Sequence, residues 1–306
     1  MLRRTEDLIY VNCGSPWGAS TLSGSMPGGK GGFMPLVAMT REMGSLGMDV
    51  ARILESELQV PVVYHEMINN LADKMRLRKS HVIRLLGGKA NLFERLTADK
   101  TSLSIYTADE MLQVASKGAV MRGWGAAHLL RPVKHAICVR ICAPFDLRVK
   151  RMMARLETDD RDAVAAEIRN SDEAQGAIAK RHFGIDWQDP EGYDLSLNTE
   201  RMSVEQCAEE IIQLSRKPDF IETDESHLAL SDLALQASIK AALRADPSTR
   251  GLTFGVDSEG GKVRLRGIVH TREEWKNATR VVTSVNGVTG VKSDLRVTEE
   301  IRSRSE

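Results

Sequence analysis

One stretch constrains this chain more than any other: Pro35-Leu-Val-Ala-Met-Thr-Arg-Glu-Met-Gly-Ser-Leu-Gly-Met-Asp-Val-Ala51. It opens on an apolar run, Leu36 to Met39, short enough to be a buried strand. It ends in a helical pattern, with Val50, Ile53, Leu54 and Leu58 falling on one face. Between the two lies a polar loop carrying Gly44 and Gly47. Strand, glycine loop, helix is the layout that aims backbone N–H groups and a helix N-terminus at a phosphate. It is also the layout of an ordinary strand-to-helix turn, and this stretch alone leaves both readings open. The common phosphate loop spells Gly-x-x-x-x-Gly-Lys-Ser/Thr. Laid over it, Arg41 takes the first glycine, Leu46 the second, Gly47 the lysine and Met48 the hydroxyl.

The same punctuation continues downstream. Val60 to Tyr64 reads as a second short strand, and residues 65 to 97 as mostly helical with a break at Gly87-Gly88. Thr107 with Glu110 predicts a capping box at the head of a helix that Gly118 closes. Ala119 to Met121 is a strand running into the turn Arg122-Gly-Trp-Gly125, and Ala136 to Cys142 is another buried strand. Pro144 starts a helix with Arg148, Arg151 and Arg155 on successive turns. Leu156 to about Arg181 is charged and helical, either a solvated helical pair or a lid that closes cations onto a phosphate. Tyr193 to Thr199 supplies a last strand, and Ser203 with Gln206 caps a helix ending near Leu214. Strands alternating with helices predict an α/β fold, a parallel sheet with helices on both faces.

Beyond a polar segment the pattern changes. An amphipathic helix (Leu235, Ile239, Leu243) precedes two alternating strands joined at Glu259-Gly-Gly, then a helix (Trp275, Ala278, Val282) and a strand (Leu295, Val297). This is a small α+β unit with no residue that looks catalytic. Its faces account for one another, so it is expected to fold alone. The domain plan is a flexible leader at 1–33, an α/β domain at 34–215, a linker at 216–230, the small unit at 231–298 and a tail at 299–306. The leader holds a Gly-x-x-x-x-Gly-Lys spacing from Gly24 to Lys30, but no strand precedes it and no helix follows.

Composition narrows the function classes. The 306 residues suit about two domains. Forty-two Lys and Arg cancel forty-two Asp and Glu, which argues against a nucleic-acid partner. The four cysteines form no C-x-x-C pair, and Cys138 and Cys142, in an apolar strand, read as buried free thiols, which favours a reducing compartment. No apolar run approaches the roughly 18 residues of a membrane span. The expected location is cytoplasmic. His65, His128 and His182 are scattered without metal-ligand spacing, so no protein metal site is expected.

Residues 35 to about 214 resemble the cytidylate kinase-like family, relatives of the nucleoside monophosphate kinases. The resemblance lies in Thr40-Arg-Glu-Met-Gly-Ser45, Gly118-Ala-Val-Met-Arg-Gly-Trp-Gly125, Ala143-Pro-Phe-Asp-Leu-Arg-Val-Lys-Arg151, Phe183-Gly-Ile-Asp-Trp-Gln-Asp-Pro190 and Tyr193-Asp-Leu-Ser-Leu-Asn-Thr199. Residues 231 to 298 resemble a BON domain through Ile239-Lys-Ala-Ala-Leu243, Val263-Arg-Leu-Arg-Gly-Ile-Val269 and Val285-Asn-Gly-Val-Thr-Gly-Val291. The resemblance implies a P-loop-type sheet with a helical lid, and phosphoryl transfer from ATP with magnesium to a nucleoside monophosphate such as CMP or dCMP. By the same resemblance Arg41, Gly44, Ser45, Gly47 and Arg122 would hold the nucleotide, and Arg148, Arg151, Asp172 and Arg181 would carry the catalytic roles. Positioning and cations do most of the work in such chemistry, and the planar fork of arginine suits it. The BON-like module would bind a ligand, membrane or partner that the sequence does not name.

This chain departs from the family pattern at several points. The loop has neither the lysine nor the hydroxyl of the common phosphate loop, although the family itself often writes it as Ser-Arg-Glu-Tyr-Gly-Ser-Gly-Gly. Gly-Arg-Gly becomes Gly123-Trp124-Gly125, Asp-x-x-Arg becomes Asp172-Glu-Ala-Gln175, and Tyr-Asp-Lys becomes Tyr64-His65-Glu66. Three expectations follow: a kinase-like enzyme of weakened activity, a regulatory protein that binds a nucleotide without turning it over, or a BON-centred adaptor whose kinase-like domain is an inert scaffold.

Overall fold

The computed structural model describes residues 35–63, 65–86, 99–123 and 125–299. The leader, the glycine break at Gly87-Gly88, Tyr64, Trp124 and nearly all of the tail lie outside the described residues. The apolar run after Pro35 forms β1 (Leu36–Arg41), whose first four residues are at most 1% exposed. Side chains alternate across it. Val37 and Met39 face α1 (Gly47–Leu58) and α8 (Val204–Ser215) through Val50, Leu54, Cys207 and Ile211. Leu36 and Ala38 face α4 (Lys100–Ala115) and the short α5 (Ala126–Leu130) through Met111, Leu112 and Leu130. A strand covered on both faces has no polar side, which is why β1 reads as a continuous apolar run.

The sheet adds β2 (Val62–Val63), β3 (Ala119–Arg122), β4 (Ala136–Cys142) and β5 (Leu195–Asn198) in the order β2-β3-β1-β4-β5. All pairs are parallel; Leu36 pairs with Ala119 on one side and Ala136 on the other. With β3 and β4 on its two flanks, β1 ends at the crevice where doubly wound sheets hold ligands. Into that crevice run the loop after β1, the turn after β3, and the turn from β4 into α6 (Phe145–Leu156). The helices α2 (His65–Met75) and α3 (Lys79–Leu86) fill the β2-to-β3 crossover before α4.

Three expectations are corrected. The helix expected to start at Thr107 starts eight residues earlier, because Asp99 is its N-cap and accepts from Ser102 N at 3.0 Å. Glu110 instead faces Lys74 and Asn70 on α2. The charged stretch is one helix, α7 (Arg161–Phe183), capped by Asp160, not a pair. The segment 216–230 is not an extended linker: α9 (Asp224–Ala245) begins inside it, at a capping box of Thr223 and Ser226.

The second unit comprises the rest of α9, β6 (Phe254–Glu259), β7 (Lys262–Val269), α10 (Arg272–Thr283) and β8 (Gly290–Val297). Its sheet runs β6-β7-β8, the first pair antiparallel and the second parallel. Gly260 (φ +57°) and Gly261 (φ +81°) form the two-residue hairpin turn, where left-handed backbone at both positions favours glycine. Ile239, Leu243, Val256, Leu265 and Val282 build its core. The upstream half of α9, with Leu230, Ala234 and Ala237, belongs to the core of the first domain. One helix thus serves two cores.

Candidate phosphate-binding site

The residues Glu42 to Leu46 link β1 to α1. Gly44 (φ +81°) and Leu46 (φ +62°) take left-handed backbone on either side of Ser45, and Ser45 N donates to Glu42 O at 3.2 Å. A Cβ on Gly44 would stand 2.8 Å from the backbone oxygen of Arg148, so only glycine lets the loop lie this close to α6. A Cβ on Gly47 is already 2.8 Å from Arg41 Cβ. Asp49 N and Val50 N both donate to Leu46 O, at 3.0 and 3.2 Å. The amides of Gly47 and Met48, at the helix start, have no carbonyl one turn back within the helix. Left-handed residues next to a helix N-terminus form a cradle for an anion.

Beneath the loop lies a network of charge. Glu42 is 4% exposed, and its carboxylate accepts from Arg140 Nη2 at 2.6 Å and from Ala143 N at 3.2 Å. Arg148 binds Asp172 through both forks, Nη1 to Oδ1 at 3.1 Å and Nη2 to Oδ2 at 2.8 Å. Its Nε faces Glu42 Oε2 at 3.4 Å, an ion-pair distance without the alignment of a hydrogen bond. Arg148 Nη1 also reaches Met43 O at 3.4 Å. Arg151 donates to Thr199 Oγ1 at 2.9 Å, to Thr199 O at 2.7 Å and more distantly to Gly44 O at 3.5 Å; burial pushes its pKa down. Thr199 Oγ1 in turn donates to Ser45 O at 2.9 Å, tying the loop to the end of β5. Ser45 Oγ is buried without a hydrogen-bond partner.

From above, α7 lies on the loop. Gln175 Nε2 donates to Arg41 O at 3.3 Å, three residues along the helix from Asp172. Arg122, at the end of β3, is buried and reaches Met48 Sδ in the first turn of α1 at 3.4 Å. Gly44, Ser45, Gly47, Arg148, Arg151 and Asp172 therefore meet around one loop, with Arg41 contributing its carbonyl and Arg122 bordering α1. Arg181 falls in the last turn of α7, and its side chain lies outside the described part of the structure. Sequence reasoning passed over Glu42, Arg140 and Thr199. Arg140 carried a signal: it is the one charge inside the apolar strand Ala136 to Cys142. Among the described residues no group of three or more His, Cys, Asp or Glu is placed to hold a metal ion.

Comparison with known proteins gives the family. The cytidylate kinase-like family matches residues 36–201, more than half of the 306-residue chain. The chain belongs to the cytidylate kinase-like family. The BON domain matches residues 231–299. A cytidylate kinase of Methanothermobacter thermautotrophicus is 26% identical over 162 residues, which cover 51% of this chain and 89% of that enzyme. A protein of Eubacterium ventriosum covers 59% of this chain and 98% of its own at 18% identity, with a TM-score of 0.47. A shikimate kinase of Bacteroides thetaiotaomicron covers the same shares at 11% identity, with a TM-score of 0.38.

Proposed function

We propose that the loop Glu42 to Gly47 binds the phosphates of a nucleoside triphosphate, and that the domain transfers the γ-phosphoryl group slowly to a nucleoside monophosphate such as CMP or dCMP. The observation that carries the slow turnover is Arg148, a guanidinium buried beside the loop. It is 5% exposed, held by both oxygens of Asp172, and faced by Glu42. A cation that the chain's own carboxylates occupy must give up part of that pairing before it can stabilise developing phosphate charge, and Glu42 stays beside it throughout.

The residues fit the phosphates better than the metal. Left-handed Gly44 and Leu46, the N-terminus of α1 and the partnerless Ser45 Oγ suit phosphate oxygens. The carboxylates at the loop, Glu42 and Asp172, are engaged by Arg140 and Arg148. Magnesium entering with ATP would neutralise phosphate charge from ligands of the nucleotide and water. This chain's own part is to hold the donor phosphates on loop amides and the acceptor in line with them.

A second reading, binding without turnover, is favoured by Gln175 at the lid-arginine position and Met48 at the hydroxyl position. A coupled ADP-release assay across the nucleoside monophosphates, with saturating magnesium–ATP, decides between them. Ordinary kinases run at about 1–100 per second, and turnover here should fall below roughly one per second. Tens per second on any acceptor would refute the slow-enzyme reading. Tight triphosphate binding with no phosphorylated product would leave the regulatory one. The buried thiols Cys138 and Cys207 suit a reducing, cytoplasmic setting, and the BON module is taken to bind a ligand of its own.

A further inference from the structure

Two carboxylates share Arg148, and their surroundings differ. Glu42 is fixed: it follows directly on the central strand, its side chain is 5% exposed, and it also holds Arg140 and the amide of Ala143. Asp172 is peripheral: its side chain is 18% exposed and it arrives on α7, a helix laid over the site. The contact beside it, Gln175 Nε2 to Arg41 O, is a single neutral hydrogen bond at 3.3 Å. We infer that Asp172 is an internal competitor for the phosphate, occupying the fork of Arg148 until a triphosphate displaces it, while Glu42 keeps the guanidinium in place through the exchange. This rests on the reading of the loop as the phosphate site.

The chemistry of the pair supports the exchange. A guanidinium presents two parallel N–H donors that fit carboxylate and phosphate oxygens alike, so Asp172 fills the geometry a phosphate would use. An incoming triphosphate brings several negative charges to a place where Asp172 brings one. Asp172 and Gln175 sit three residues apart on one side of α7, so losing the first contact frees the helix at the second. Opening is local, because the start of α7 stays packed: Val164, Ala165 and Ile168 form an apolar cluster with Val149 of α6. Asp172 and Glu42 are positioning residues here; neither needs to touch the reacting atoms.

Their removal should act in opposite directions, which a merely structural role would not produce. Calorimetric titration of the full chain with magnesium–ATP and with inorganic tripolyphosphate is the measurement. Asp172→Asn, and Asp172→Ala as a second variant, should bind both about tenfold more tightly than wild type, the scale of one charge-assisted contact. Glu42→Gln should bind both at least as many times more weakly. Without ligand, amide hydrogen exchange over residues 169–178 should speed up in both Asp172 variants and not at residues 47–58. Equal or weaker binding by both Asp172 variants overturns the competitor role, and unchanged exchange overturns the contact as a latch. Failure of wild type and every variant to bind either ligand overturns the phosphate reading itself, and faster exchange in that case still upholds the latch.

Discussion

At the scale of single residues, the site is defined as much by what will not fit as by what binds. Gly44 combines a φ of +81° with a Cβ direction that ends 2.8 Å from a backbone oxygen, that of Arg148, which has no flexible end to move away. Gly44→Ala therefore meets both left-handed strain and a backbone clash. It should cost about 1–3 kcal/mol, the range for a non-glycine residue held in this region. Urea unfolding measures it, and a loss under about 0.5 kcal/mol would mean that the loop relaxes freely. The same residue was legible in the sequence as a loop glycine, although its reason was not. Nothing in the text of the chain brings Arg148, over a hundred positions downstream, against it. Glu42 escaped notice for the same reason, since its partners Arg140 and Arg148 lie on other elements.

At the scale of elements, reading succeeded where burial is continuous and failed where tertiary contacts redirect local signals. β4 runs over Ala136–Cys142 as its apolar text predicts, and the Ser203–Gln206 capping box opens α8. The box at Thr107 and Glu110 is real as a spelling and idle as a cap. Glu110 is drawn to Lys74 at 2.6 Å and Asn70 at 2.8 Å, while Asp99 takes over the start of α4. The run of charges before Arg181 hid one long helix, because its few apolar residues suffice when Val149 and Phe145 lie beneath them. That helix carries Gln175 over the loop, and a cation introduced there would reach the region that phosphate charge should enter. Gln175→Arg is expected to raise turnover by at least about tenfold, a cautious share of what a well-placed arginine contributes. Single-turnover phosphorylation of CMP is the readout. No gain, with the variant folded and triphosphate still bound, would place the defect elsewhere than in the missing lid cation.

At the scale of the whole molecule, α9 makes the two domains one another's neighbours rather than beads on a tether. Ser238 Oγ donates to Asp109 at 2.7 Å and accepts from Gln113 at 2.9 Å, while Arg244 donates to Ser102 Oγ at 2.7 Å and pairs with Asp99. Burial raises the pKa of Asp99, but hydrogen bonds from Ser102 and the Arg244 guanidinium outweigh it and bring the value down to about 2. A folded pKa below the ordinary value of roughly 4 stabilises the seam at higher pH, and that contribution is lost as pH falls towards the folded value. The stability gap between wild type and Asp99→Asn should hold steady above about pH 4 and close towards pH 2; a gap independent of pH would show that the ion pair contributes nothing. The shared helix also sharpens what an isolated second domain will do. A fragment of residues 224–306 keeps Ile239, Leu243, Val256, Leu265 and Val282 together, so its unfolding should remain cooperative. It strips cover from Leu230, Ala234 and Ala237, which are 2%, 7% and 7% exposed in the whole chain. A helix segment without a partner for its apolar face is marginal in water. Amides of residues 227–236 should then exchange rapidly in the fragment and slowly in the full chain, while those of β7 stay protected in both. Protection of the whole helix in the fragment would show that the first domain does not hold it, and a broad, non-cooperative melt would show that the second domain depends on the first for its core.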